Sequence, residues 1–180
     1  NGYFEDGASA EFEEVNGLWN RAIKAGEEME EARKLSEQDG HAAEAARLVH
    51  TAASNYPQFP QMDLLVDLYE GGAAFENKDY DAFLSLAERD WARYPNSITA
   101  SGLASALDCK YAVTGDPQYR QRAEELMVKA RDLAQGQKEI LANLEEYAER
   151  RKYRLETREI ITKNEYDRRF RQNRPPAKPQ

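Results

Sequence analysis

The chain has 180 residues and a formal net charge of −8, enough for one domain with a sizeable core or for a short helical stack. Ala, Glu, Arg and Leu dominate, and these side chains lose little rotamer freedom in a helix. No run of about 18 apolar residues occurs, so no segment of this sequence reads as membrane-spanning, and the single cysteine, Cys109, excludes an intrachain disulfide framework.

The charge is unevenly divided. Residues 1–149 hold 14 Lys+Arg against 29 Asp+Glu, whereas residues 150–180 hold 11 against 4. Such a sign change points to a basic end with an electrostatic role, or to a basic surface helix that closes a helical stack. The chain opens on Asn1 rather than Met, which reads as a processed piece whose signal or anchor, if any, lies upstream. The expected location is that of a soluble domain, cytoplasmic or membrane-associated.

Apolar spacing predicts a long first helix over 8–37, with Phe12, Val15, Leu18, Trp19, Ala22, Ile23 and Ala25 three and four apart. Gln38-Asp39-Gly40 breaks it. A second helix over 41–55 has an alanine-rich side, Ala42, Ala45, Ala46, Ala52 and Ala53 with Val49, until Pro57 and Pro60 stop it. A third runs over 61–76, and Asp79 is placed to cap a fourth over 80–94. Pro95-Asn96-Ser97 ends that helix and starts a fifth over 97–113. Thr114-Gly115-Asp116-Pro117 is a strong turn, with Gly suited to a left-handed residue and Pro to a helix first turn. A sixth helix covers 118–134, and a long seventh runs from Gln137 to about Arg158. Thr162 and Glu165 have capping-box spacing before a short last helix containing Tyr166 and Phe170. Period-two alternation is absent, so no sheet is expected.

The pair Tyr-Pro recurs at Tyr56-Pro57 and Tyr94-Pro95, 38 residues apart, and residues 119–133 align with 80–94 at an offset of 39. Self-similarity at such a period marks stacked supersecondary units. The helices would pair as 8–37 with 41–55, 61–76 with 80–94, and 97–113 with 118–134. Over about 25–135 the pattern resembles tetratricopeptide (TPR) repeats. Ala45, Ala52 and Pro57 match the second-helix alanines and closing proline of that motif. Gly71, Tyr80 and Pro95 match its small residue, its aromatic after the turn and its proline, and Ala123 and Ala130 its alanine pair. Phe83 and Asp90 depart from it, as does the period, against about 34 in the family. A weaker resemblance to the short C-terminal SHOCT module covers 151–170, through Leu155, Ile161-Thr162, Glu165-Tyr166 and Phe170, with Glu159 where that module has Gly.

The TPR resemblance implies an all-α, right-handed stack of antiparallel helix pairs, a TPR-like α-solenoid with a long C-terminal closing helix. The expected organisation is a helical repeat domain over 1–158, a short capped basic helix over 159–172 and a disordered tail over 173–180. It also implies a non-catalytic scaffold that holds a protein partner, as a peptide or helix, in a groove, with Tyr69, Glu76, Lys110 and Tyr111 as candidate partner-binding residues. The alternative is an assembly or membrane-proximal domain. Its basic segment, Arg150, Arg151, Arg154, Arg158, Arg168 and Arg169, would mediate homo-oligomer formation or contact an anionic membrane surface reached through flanking sequence. Phosphate binding also uses such clusters, but the acidic remainder would repel nucleic acid.

Catalytic chemistry finds no anchor. His41 and His50 lie nine apart in one helix, about 180° from each other, and cannot share a metal from it. Asp79 and Asp81 lack the Gly and closing Glu of a calcium loop. Cys109, between Leu107 and Tyr111, reads as a buried, inert thiol. No cofactor and no enzymatic activity are expected.

Overall fold

A computed structural model describes residues 3–171, with side chains from residue 11 onward; the tail expected over 173–180 lies outside the described residues. Eight helices and no strand are found among them. The chain divides into two compact units, 1–73 and 74–180, with the boundary inside the third helix.

The first unit contains α1 (Tyr3–Ser36), α2 (Ala42–Asn55) and the body of α3 (Met62–Glu76). Its core is built on small residues: Ala25, Ala32, Ala45, Val49 and Ala52 are wholly buried. Alanines on facing helices let the backbones approach closely, and Met29, Leu35, Leu65, Val66 and Tyr69 fill the remaining space. Asn55 donates to Glu28 at 2.8 Å, joining α2 to α1. His50 Nε2 lies 2.7 Å from Glu70 and joins α2 to α3. Gly40, at φ +84°, makes the turn between α1 and α2 in a conformation that costs other residues strain.

The second unit holds the end of α3, α4 (Tyr80–Arg93), α5 (Ser97–Thr114), α6 (Pro117–Leu133), α7 (Lys138–Thr157) and α8 (Lys163–Phe170). Helix α5 is its centre. Ala100, Leu103, Ala104, Ala106, Leu107 and Cys109 are all fully buried, and a helix apolar on every side belongs in a core. It packs against α4, α6 and α7. Its partners contribute Ala87 from α4, Ala123, Leu126, Met127 and Ala130 from α6, and Leu144 from α7.

The ends of these helices follow their local chemistry. Asp79 accepts from Ala82 N at 3.0 Å and starts α4. Asn96 and Thr99 form a reciprocal capping box at the start of α5. Gly115 takes φ +77° after α5, Asp116 caps α6 and Pro117 opens it. The two Tyr-Pro pairs share one role: Tyr56 and Tyr94 are both helix C-caps with extended φ, as a residue before proline favours. Thr162 accepts from Glu165 N at 3.1 Å, while the Glu165 carboxylate holds Arg169.

Candidate functional site

Three features stand out: a polar cluster buried under α7, the ion pairs of the basic C-terminal segment, and an exposed apolar stripe on α1.

The cluster begins with Asp108. It sits mid-helix in the most apolar part of α5, and its exposure is 0%. An isolated carboxylate there would be very costly. Helix α7 brings two partners: Arg151 donates its Nε to Oδ2 at 2.7 Å, and Tyr147 donates its hydroxyl to the same oxygen at 2.9 Å. Burial pushes the Asp108 carboxyl above its ordinary range, against the pull of Arg151 and Tyr147. The same burial raises the Tyr147 phenol, which therefore stays a proton donor. One turn on, the buried Arg154 directs Nη1 at the Ser105 carbonyl and at Cys109 Sγ, both 3.3 Å away, and lays its guanidinium 5.9 Å from the centre of the Phe75 ring. Burial pushes the Cys109 thiol up to about 11, so it is protonated at neutral pH.

The basic segment divides: Arg150, Arg151 and Arg154 are turned inward, whereas Arg158, Arg168 and Arg169 are exposed. Besides Arg151 and Arg154, Arg150 lies over the Tyr147 ring at 5.9 Å, and burial lowers its pKa. Arg158 takes a left-handed conformation, φ +61°, as the C-cap of α7 and stacks 5.4 Å from the Tyr111 ring. Arg169 binds Glu159 at 2.8 Å and also Glu165. Arg171 binds Glu149 at 2.8 Å. Arg168 is exposed on the last turn of α8. Tyr153, Tyr166 and Phe170 pack on one another with ring centres 5.0–6.0 Å apart and fasten α8 to α7.

The candidate partner-binding residues also have neighbours inside their own units. Tyr69 packs on the core of the first unit. In the second, Lys110 donates to Asp81 at 2.5 Å, and Tyr111 lies under the guanidinium groups of Arg120 and Arg158. Glu76 is half-buried at the end of α3. The histidines are separately engaged, His50 with Glu70 and His41 with Glu44 at 3.4 Å. Among the described residues no group of three or more His, Cys, Asp or Glu is gathered for a metal ion.

The apolar stripe of α1 splits in the structure. Ala25 enters the core, but Phe12 is 71% exposed, Trp19 66%, and Val15 and Ile23 are also open to solvent. At about 100° per residue these four side chains fall within an arc of about 80°. Glu11 and Glu27 lie about 40° beyond either edge of that arc and Glu13 about 80° beyond it, whereas Arg21 and Lys24, the cations between residues 11 and 27, fall on the far side.

Sequence reasoning missed Asp108, whose one signal was a lone acid in the run Leu103 to Tyr111. Tyr147 and Ser105 carried no signal, since their roles depend on α7 crossing α5. No helix among the described residues is long and apolar enough to cross a membrane. The chain matches no protein-family model, no curated protein and no solved structure.

Proposed function

We propose that this chain is a non-catalytic interaction module that docks a partner helix on the outer face of α1. The observation that carries this reading is the unpartnered stripe of Phe12, Val15, Trp19 and Ile23. Two large aromatics exposed on one helix face are uncommon on a surface with no partner, and aromatic side chains are favoured anchors at protein interfaces. Apolar residues at i, i+3, i+7 and i+11 provide the seam on which an amphipathic helix lies. Glu11 and Glu27 give that seam acidic edges. The complementary partner is therefore an amphipathic helix with Lys or Arg beside its own apolar stripe. An anionic bilayer would be repelled by the same edges. The inward placement of Arg151 and Arg154, and the surface pairing of Arg169 and Arg171 with carboxylates of the same chain, give less support to a reading in which the basic segment holds a second copy or a membrane.

The test uses two synthetic helices of identical leucine stripe, one flanked by Lys and one by Glu. With Trp91→Phe as the background, Trp19 fluorescence should shift to the blue with the Lys-flanked helix and respond far less to the Glu-flanked one. Phe12→Asp with Ile23→Asp should abolish the response. Equal binding of the two peptides, or binding indifferent to the Asp substitutions, overturns the proposal. Concentration-dependent self-association that those substitutions abolish would assign the face to a second copy instead.

A further inference from the structure

The two halves of α1 are built differently. From Glu27 to Leu35 the sequence holds only strong helix formers. Arg33 binds Glu30 at 2.9 Å, one turn back, and Glu37 at 2.5 Å, one turn on. Met29, Ala32 and Leu35 pack into the core of the first unit. Residues 11–24 have none of these supports. Each is exposed except Gly17 and Ala22, which are half-buried, and Ala25 is the first wholly buried residue described in the helix. Among the described residues the first ion pair along α1 is that of Lys24 with Glu28, at 3.9 Å.

The exposed half also carries poor helix formers, Asn16, Gly17 and Asn20, and Gly26 stands where it joins the anchored half. A Cβ at Gly17 or Gly26 would meet nothing within 4 Å, so packing requires neither glycine. Against alanine at all four positions, these residues lower the helix formation constant by about a hundredfold. Most helical stability in proteins comes from packing an amphipathic face, and here the apolar face, Phe12, Val15, Trp19 and Ile23, meets solvent.

We infer that residues 11–24 open and close as a unit of their own, hinged at Gly26, while 27–36 stay helical, and that a partner helix binds by completing this half of α1. The inference rests on the docking reading of the α1 face and adds the regulation of that site. Part of the contact energy orders the helix, so affinity is reduced by the fraction of chains already closed, and helix propensity sets it as much as the contacts do. Gly17 and Asn20 lie about 120° and about 60° beyond the edge of the apolar stripe. Replacing them changes that fraction and leaves the docking face intact.

The test is amide hydrogen exchange on the full chain, free and saturated with the Lys-flanked synthetic helix. In the free protein the amides of 14–24 should exchange at least about a hundredfold faster than those of 28–36, and the peptide should bring the two groups to similar rates. Gly17→Ala with Asn20→Ala should slow exchange of 14–24 in the free protein about tenfold and tighten the peptide about tenfold. Amides of 14–24 that exchange as slowly as 28–36 in the free protein overturn the inference. So does an alanine variant that slows exchange without tightening the peptide. Peptide binding to a segment already protected defeats this inference alone, whereas failure of both synthetic helices to bind defeats the docking reading and this inference with it.

Discussion

Arg151 on α7 and Asp108 on α5 are 43 residues apart in sequence and 2.7 Å apart in space. Their pairing, with Tyr147 on the same oxygen, fixes the long closing helix to the central one at a buried point. Removing one partner of a buried pair strands the other charge and costs about 3–5 kcal/mol. Asp108→Ala and Arg151→Met should each destabilise the second unit by about that amount in urea unfolding. The double substitution Asp108→Leu with Arg151→Met should recover much of the loss, because two apolar groups leave no charge uncompensated. A double variant as unstable as the sum of the singles would assign the effect to packing.

Cys109 offers a test by pH and by chemistry. Its folded value of about 11 lies above the ordinary 9.0, so the native state retains the proton that the unfolded chain gives up. The stability this contributes is complete below pH 9 and is lost as pH rises toward 11, by about 2–3 kcal/mol in all. Native protein at pH 8 should react with iodoacetamide at least ~100-fold more slowly than urea-unfolded protein. Cys109→Ala should flatten the decline in stability between pH 9 and 10, the tyrosines contributing alike to both proteins.

The turn between α5 and α6 can be tested by a double-mutant cycle. A Cβ at Gly115 would fall 2.3 Å from Arg158 Nη2, on a backbone at φ +77°. Gly115→Ala should cost about 1–2 kcal/mol from the left-handed backbone alone, plus the displacement of the guanidinium from the Tyr111 ring. In an Arg158→Ala background the steric part disappears and the backbone part remains. Equal costs in both backgrounds would mean that the arginine swings aside without loss.

The two faces of α1 should respond in opposite ways. Trp19→Lys and Val15→Lys change exposed positions and should move stability by no more than about 0.5 kcal/mol. Ala25→Leu inserts bulk at a wholly buried site and should cost about 1–3 kcal/mol. Thermal unfolding of the three variants separates the faces.

The helix boundaries were legible because their chemistry is local. Asp79, Asn96 and the run Gly115-Asp116-Pro117 each carry in their own side chains or backbone preferences the reason a helix starts or stops. The direction of the α1 stripe was not legible. Spacing shows that Phe12, Val15, Trp19 and Ile23 share a side, but only the positions of α2 and α3 decide that Ala25 faces the core and Trp19 faces water. The basic segment was visible as a count of charges. Its pairing was hidden, because Asp108 and Glu149 lie in earlier stretches that the sequence presents as apolar core or acidic surface.

The contact between Gly115 and Arg158 has a consequence for how this chain can vary through descent. One residue ends α5 and the other ends α7, yet the space beside Gly115 is already occupied by the arginine's head. A side chain at 115 has to share that space with the far end of a flexible arginine, so what position 115 tolerates is set by the residue that stands at 158.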